Sequence, residues 1–423
     1  MPLNILYLNT HDTGRYISPY GLAVPTPNLD RLAREGVMFR QAFSAAPTCS
    51  PSRAALFTGN YPHESGMLGL VHRGSRLTHP ENTLAHVLAD AGWTSVQVGL
   101  QHVAPYEELD RLGFSEVPAT ASHHAADVAP VAAHWLRTRD RTKPFFMSVG
   151  FFETHRVYPE AGPDDDPRYL AVPPGFPDTP EIRADTAMLH ASLRAADDGI
   201  GLILEALAET GAAEETLVIY TTDHGLPWPG MKCNLNDAGT GVALLMRGPQ
   251  DFAGGKVVDA MVSQLDLFPT IMDLAGIAKP AWLRGTSLVP LLDGSAESVH
   301  DAVFAEVTCH AAYEPMRSLR TPEWRYLRRF DTAEGRILAN VDASPAKSLF
   351  VSEGWNEAPP PRRALYNVVV DPDERSNLVD DPAHAEIAEA LDDRLTAWMR
   401  DTADPLLDPD WAPPETYRLD PRF

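Results

Sequence analysis

Residues Asn4–Gly14 read NILYLNTHDTG. The first seven form a short apolar run rich in β-forming side chains, and the run stops at a polar, turn-like cluster that begins with His11 and Asp12. This stretch predicts a buried strand with polar side chains at its carboxyl end. The later run Leu217–Thr222 repeats the arrangement, because an Asp-His pair follows it directly.

Helical and strand-like patterns alternate between and around these two runs. Further strands are predicted at Val37–Phe43, Thr94–Gly99 and Phe145–Phe151. Predicted helices begin at Thr26, Cys49 and Leu84, and a longer helix has an apolar face that runs from Leu189 to Leu207. Because strands that alternate with helices are typical of parallel sheets, the sequence predicts an α/β fold with a mainly parallel sheet sandwiched by helices.

The pattern changes near residue 295. Shorter strand-like runs follow at Val303–Thr308, Trp324–Phe330 and Ala364–Val369. A helix near Ala385–Met399 and a tail rich in Pro and Asp complete the chain. We therefore predict two domains, a large α/β domain over residues 1–295 and a smaller α+β domain with an antiparallel sheet over residues 296–423.

Composition excludes several classes of protein. The 423 residues carry a net charge of −23, which argues against a general nucleic-acid or acidic-membrane binder, so an anionic substrate needs a local basic pocket. The chain contains no apolar run of the length a membrane helix needs, and its start lacks the features of a signal peptide, so we expect a cytoplasmic protein. The three cysteines are widely spaced, so we do not expect a disulfide framework.

Four predicted strands are followed by side chains that bind metals or carry protons. In open parallel sheets the ligand crevice lies beyond the carboxyl ends of the strands, so we expect these side chains to converge. Oxygen and imidazole ligands in the first and last groups suit one divalent ion. The four groups are His11-Asp12, His102, Glu153 with His155, and Asp223-His224.

Cys49 is the second candidate for a functional site. It is predicted at a helix N-terminus, where backbone N–H groups favour an anion, and Arg53 lies four residues later on the same helical face. This arrangement predicts an anion pocket beside a reactive side chain. A small, inert, buried thiol is the alternative.

The residues around Cys49 carry a resemblance. CSPSR at residues 49–53 has the C-x-P-x-R form that marks a cysteine for oxidation to formylglycine, and it continues as AALFTGNYPHESGM. With the segments PTPNLDRLAREGVMFRQAF, PFFMSVGFFETH, TLVIYTTDHG and LYNVVVDPDERSNLVDDP, it resembles the sulfatase family in the family's own order. GLPWPGMKCNLNDAGTGVALLMRGP and EVTCHAAYEPMRSLRTPEWRYL look most like the sulfamidase (N-sulfoglucosamine sulfohydrolase) branch.

The resemblance implies an alkaline-phosphatase-like fold and hydrolysis of a small sulfated substrate, either a sulfate ester or a sulfamate. It implies that a formylglycine-generating enzyme oxidises Cys49 and that the hydrated aldehyde is the nucleophile. Arg53 would stabilise that hydroxyl, His102 would help the elimination of sulfate, and His155 would protonate the leaving group. Lys232 would contact sulfate. The implied metal ligands are His11, Asp12, Cys49, Asp223 and His224.

Two positions depart from the family pattern. His11 stands where the first of two paired aspartates belongs, and Leu100 stands where a lysine is common. The family implies calcium, whereas two imidazoles with two carboxylates also suit manganese, zinc or iron. Lys232, Arg53 or Arg73 could replace the missing positive charge.

The smaller domain is expected to reach the pocket. Glu306, His310 and Arg317 are candidates for substrate binding, although a segment of mixed polarity is as often structural. Two other functions stay open. One is a phosphonate monoester hydrolase or phosphodiesterase of the same superfamily, and the other is a non-catalytic binding protein that keeps Cys49 as a thiol. The sequence does not decide whether the chain forms a homo-oligomer.

Overall fold

The computed structural model describes residues 3–249 and 251–417, and within them the chain forms two sheets. Eight strands build the first sheet, in the order β3-β4-β1-β5-β7-β2-β6, with β8 paired to β2. The strands are β1 Asn4–Thr10, β2 Val37–Phe43, β3 Thr94–Gly99, β4 Phe145–Gly150, β5 Thr216–Thr222, β6 Gly241–Val242, β7 Leu244–Arg247 and β8 Lys256–Ser263.

Eleven α-helices are present in the described ranges. They are α1 Pro27–Glu35, α2 Cys49–Thr58, α3 Pro62–Ser65, α4 Leu84–Asp90, α5 Ala125–Thr138, α6 Pro180–Glu209, α7 Asp237–Thr240, α8 Leu267–Ala275, α9 Val289–Leu292, α10 Pro345–Ser352 and α11 Ala385–Asp401. No helix of residues 3–249 and 251–417 combines the length and the apolar character that crossing a membrane requires.

Alternate residues of each central strand pack on opposite faces of the first sheet. Leu6 and Leu8 of β1 join a cluster with α1, α5 and α6. Ile5 and Tyr7 join the opposite cluster with α2, α4 and α8. Both faces of the sheet are thus covered by helices, which explains why the strand sequences are continuously apolar.

The strands that precede the candidate metal-ligating and proton-carrying residues are parallel. β3, β4, β1 and β5 run parallel, with Asn9 opposite Gly150 and Thr10 opposite Thr222. The residues that follow β1, β4 and β5 therefore emerge side by side. At the other edge β7 pairs antiparallel with both β5 and β2, so the prediction of a mainly parallel sheet is confirmed, with an antiparallel part that the strand pattern did not indicate.

The second sheet is antiparallel, in the order β12-β11-β10-β9. Its strands are β9 Val303–Cys309, β10 Tyr313–Arg320, β11 Trp324–Arg329 and β12 Arg363–Asn367. Leu395 and Trp398 of α11 pack in a cluster with Leu319 and Tyr326 of this sheet. Ala55 of α2 and other residues that precede the smaller sheet in the chain join the same cluster. The smaller sheet is therefore attached to the helix that begins at Cys49.

A buried ion network also joins the two parts. His63 of α3 places Nδ1 2.5 Å from Glu306 Oε2 and Nε2 3.2 Å from the Thr402 carbonyl oxygen. Arg317 Nε lies 3.3 Å from Glu306 Oε2 and 2.5 Å from Asp404 Oδ2. Because both ring nitrogens of His63 face acceptors only, both hydrogen bonds form when the ring carries two protons.

We predict that His63 makes stability depend on pH. Glu306 raises the pKa of His63 above its usual value, although burial acts in the opposite direction. The stabilisation is then fully present below about pH 6.5, the value of an unfolded histidine, and is lost as the pH rises through the raised pKa. His63→Asn should lower the free energy of unfolding by about 1.5–3 kcal/mol at acidic pH and by less at alkaline pH.

Urea denaturation across this pH range measures the difference. The exposed His134 supplies the control, and His134→Asn should give only a small difference in the free energy of unfolding. A deficit of equal size at every pH in His63→Asn would contradict the doubly protonated ring.

Candidate active site

Five side chains with metal-ligating atoms meet at the carboxyl ends of β1 and β5. Their ligand atoms all lie within 4.8 Å of one another, and all five residues are buried. β1 and β5 are each followed by two of them, and α2 begins with the fifth. They are His11, Asp12, Cys49, Asp223 and His224.

Hydrogen bonds fix the two strand ends against each other. The Asp12 N–H group donates to Asp223 Oδ1 at 2.8 Å, and the Gly14 N–H group donates to the His224 carbonyl oxygen at 2.8 Å. His11 Nδ1 lies 2.7 Å from Asp12 Oδ1 and 3.2 Å from Asp223 Oδ2. The imidazole at the position that departs from the family pattern therefore points at the same place as the two carboxylates.

The protonation states suit a cation. Burial lowers the pKa of His11 to about 4, although Asp223 and Asp12 act in the opposite direction. Burial alone would raise the pKa of Asp12, but Lys232 and His11 outweigh it and hold the value well below the usual range. At neutral pH the cluster thus offers a neutral imidazole beside ionised carboxylates. This donor set fits a divalent metal ion.

Cys49 is the first residue of α2 and the member of the cluster that comes from a helix. Its Sγ lies 3.5 Å from His224 Nε2 and 4.0 Å from Asp12 Oδ1. The helix ends at Gly59, whose positive φ of 69° favours glycine, and every residue of the helix is buried. Burial raises the pKa of the Cys49 thiol well above its usual value.

Arg53 lies one turn further along α2 and contacts the strand ends. Its Nε donates to Asp223 Oδ2 at 3.2 Å, and its two other nitrogens donate to Asn9 Oδ1 and to the Thr10 carbonyl oxygen. Arg53 therefore fixes the position of the Asp223 carboxylate. Asn9 was missed by sequence reasoning, and its only signal is an amide side chain inside an otherwise apolar run.

Lys232 is, with Arg53, a buried positive side chain that contacts this cluster. Its Nζ lies 3.0 Å from Asp12 Oδ2 and 3.2 Å from Asp342 Oδ2. Burial alone would lower the pKa of Lys232, but Asp12 outweighs it and the value lies well above the usual one. Asp342 was also missed, because it lies in a loop without periodicity or a motif.

Two histidines lie beside the cluster. His155, just after β4, packs edge-on against His11 with ring centroids 4.8 Å apart. Its Nδ1 donates to the Arg156 carbonyl oxygen, which leaves Nε2 to exchange a proton with a bound molecule. His102, after β3, has a positive φ of 57° and stacks on the exposed His72 at 5.6 Å. The structure thus brings both predicted proton carriers to the metal-ligating group.

The three substrate-binding candidates from the smaller domain lie in two different places. His310 is buried, and its Nδ1 has no hydrogen-bond partner among the residues that the structure describes. Burial, with the charge of Lys232, holds the pKa of His310 well below the usual value. His310 therefore lies within electrostatic reach of the cluster. Glu306 and Arg317 instead bond to His63 and Asp404 in the ion network between the two sheets, and the structure does not bring them to Cys49.

Comparison with known proteins places this geometry in a family. Residues 4–277 match the sulfatase family model, and residues 232–352 match the model of the C-terminal region of N-sulphoglucosamine sulphohydrolase. The chain belongs to the sulfatase family. The predicted resemblance is confirmed, and the named activities of its relatives make this sulfatase a sulfuric ester hydrolase.

Two human enzymes are among the similar proteins. N-sulphoglucosamine sulphohydrolase is 32% identical to this sulfatase over 96% of this chain and 91% of the human one. Arylsulfatase A is 28% identical over 90% of this chain and 83% of the human one. Similarity over nearly the whole chain means that both sheets of this sulfatase, and not only the first, have counterparts in these relatives.

Solved structures support the fold. A protein in complex with its substrate D-glucosamine-2-N,6-O-disulfate aligns with a TM-score of 0.76 at 18% identity, over 98% of this chain and 100% of that one. The phosphonate monoester hydrolase of Agrobacterium radiobacter aligns with a TM-score of 0.70 at 21% identity, over 95% and 96%. The predicted alkaline-phosphatase-like fold is thus confirmed.

We predict that Asp223 is required for metal binding. Asp223→Asn removes a charged ligand and should lower the metal content per chain at least about tenfold, and abolish activity. Elemental analysis of the purified protein measures the first effect. The control is Asp197→Asn, a buried carboxylate that accepts the N–H groups of Asn28 and Leu29 outside the cluster, and it should keep its metal. Full metal content in Asp223→Asn would remove this residue from the ligand set.

Proposed function

We propose that this sulfatase hydrolyses the N-linked sulfate of an amino sugar, with sulfate esters as a second class of substrate. The match of residues 232–352 to the C-terminal region of N-sulphoglucosamine sulphohydrolase supports the sulfamate. So does the 32% identity to the human enzyme of that name. The observation that carries the chemistry is the placement of Cys49, at the start of a buried helix and 3.5 Å from His224 Nε2.

Residue 49 acts as formylglycine in this proposal. The C-x-P-x-R sequence supports this modification, and the hydrated aldehyde supplies an oxygen nucleophile. An unmodified thiol suits the reaction less well, because it lacks the second hydroxyl group with which the hydrated aldehyde would expel sulfate.

The surrounding residues divide the other tasks. The five residues of the cluster would hold a divalent metal, which would supply positive charge for the nucleophile and for sulfate. The two imidazoles suit manganese, zinc or iron as well as calcium. Arg53 fixes Asp223, while the ammonium group of Lys232 supplies a positive charge for the sulfate.

Protons move through the histidines. His155 Nε2, as the imidazolium, donates a proton to the departing nitrogen or oxygen, while the bond from Nδ1 to the Arg156 carbonyl oxygen keeps the ring oriented. His102 accepts a proton during release of sulfate. Its ring is held by the stacked ring of His72.

Parallel assays test the substrate class. We expect the ratio kcat/KM to be highest for N-sulfoglucosamine, lower for nitrophenyl sulfate and lowest for a phenyl phosphonate monoester. A preference for the phosphonate would favour phosphonate monoester hydrolysis instead. Metal-loaded, modified enzyme that hydrolyses none of the three would leave a binding protein.

We predict that Cys49 is converted to formylglycine in active preparations. Mass spectrometry of the tryptic peptide that contains residue 49 should detect the aldehyde after coexpression with a formylglycine-generating enzyme. Activity should rise in proportion to the modified fraction. Full turnover by protein that contains only the thiol would exclude this mechanism. Cys233→Ser, at the second buried cysteine, is the control and should leave the modified fraction unchanged.

We predict that the effect of His155 depends on the leaving group. General acids matter most when the leaving group is basic, so His155→Ala should lose about 10²–10⁴-fold in kcat on a sulfamate and far less on nitrophenyl sulfate. Arg53→Ala should impair both substrates similarly, because it releases Asp223. Equal losses on both substrates in His155→Ala would assign the acid role to another group, with His102 the next candidate.

A further inference from the structure

We propose that Asp342 is a substrate-binding residue that selects for hydrogen-bond donors, the hydroxyl and ammonium groups of an amino sugar, next to the sulfate site. The inference rests on the proposed function and adds a specificity determinant that comes from outside the first sheet. It starts from one unexpected feature. A partly exposed carboxylate lies 3.2 Å from the lysine that provides the positive charge for sulfate.

Lys232 and the two carboxylates that contact it differ in their exposure to solvent. The side chain of Lys232 is 2% exposed and that of Asp12 is 0% exposed, whereas that of Asp342 is 21% exposed. Lys232 therefore lies between a fully enclosed carboxylate and one that a molecule entering from solvent can reach. Because Lys232 Nζ also lies 3.0 Å from Asp12 Oδ2, one side chain separates Asp342 from the metal-ligating cluster.

The loop that carries Asp342 is held from two sides. Lys347 Nζ, on α10, donates to the carbonyl oxygens of Leu338 and Val341, each at 2.8 Å. The side chain of Asn340 accepts from the Ala312 N–H group at 2.8 Å and donates to Glu314 Oε2 at 2.8 Å. Asp342 therefore has little freedom to withdraw, so its carboxylate is pre-organised before a ligand arrives.

A carboxylate in this place is unfavourable for binding sulfate itself. It repels the anion and partly neutralises the cation that attracts it. The same carboxylate is favourable for any part of the substrate that donates hydrogen bonds, because charge-assisted bonds are stronger than neutral ones. Hydroxyl groups of a sugar meet this requirement, and a bare aryl ring does not.

The reaction itself creates a second donor. Hydrolysis of a sulfamate, R–NH–SO₃⁻ + H₂O → R–NH₃⁺ + SO₄²⁻, breaks the N–S bond, forms an S–O bond and leaves the added protons on nitrogen. The product is thus a cation where the substrate was an anion. Asp342 attracts this ammonium group, which favours the charge that develops on nitrogen as the bond breaks.

Asp342→Asn tests the inference, because it keeps the shape and removes the charge. KM for N-sulfoglucosamine should rise about tenfold or more, since a charge-assisted bond is replaced by a neutral one. KM for nitrophenyl sulfate should fall, since the repulsion of the anion disappears. The control is Asp331→Asn, a carboxylate paired with Arg329 in the same domain, and it should change neither value. Circular dichroism and the melting temperature verify that each variant is folded.

Calorimetric titration of glucosamine and glucose gives a readout without turnover. Wild-type protein should bind glucosamine about tenfold more tightly than glucose at a pH where the amine is protonated, and Asp342→Asn should remove the difference. A fall of both KM values in Asp342→Asn would show that Asp342 only neutralises Lys232, which overturns the inference. Equal binding of the two sugars by wild-type protein would also overturn it. If metal-loaded, modified wild-type protein hydrolyses no sulfate substrate but still selects glucosamine, the proposed function is refuted and only the role of Asp342 in binding an amino sugar remains.

Discussion

Two buried carboxylates impose the main constraint on this structure. Asp12 and Asp223 follow adjacent parallel strands, and each is nearly inaccessible to water. An ionised carboxylate removed from water costs several kcal/mol unless charges and hydrogen bonds compensate it. The register that sets Thr10 opposite Thr222 brings the two groups to one point, so their compensation must also be concentrated there.

The compensating groups come from separate parts of the chain. Arg53 belongs to the helix that begins with Cys49, and Lys232 belongs to the loop after β5. Each contacts a different carboxylate, Arg53 with Asp223 and Lys232 with Asp12. Arg53 and Lys232 thus balance the charges of Asp223 and Asp12, so the excess positive charge that an anion needs in a chain with a net charge of −23 would come from the divalent metal ion.

The strand-end residues could be predicted because a continuous apolar run fixes a buried strand, and parallel strands end at one edge. The same reasoning did not find Asn9, whose side chain lies within such a run, or Asp342, which lies in an irregular loop. For Glu306 and Arg317 the residue types suggested ligand binding, but buried opposite charges also bind each other, and Asp404, the second partner of Arg317, is far away in sequence. The antiparallel edge was equally hidden, because a short apolar strand has the same sequence pattern in either direction.

The burial of α2 has a consequence for the maturation of the protein. All ten residues of this helix are buried, and one face of it packs against the smaller sheet and α11. If Cys49 is modified as we propose, the oxidising enzyme would need access to a side chain that the folded helix encloses. It would therefore act on the nascent or unfolded chain. Packing of the C-terminal residues would then end that access, so the proposed maturation would compete in time with folding, and faster folding would lower the yield of modified protein.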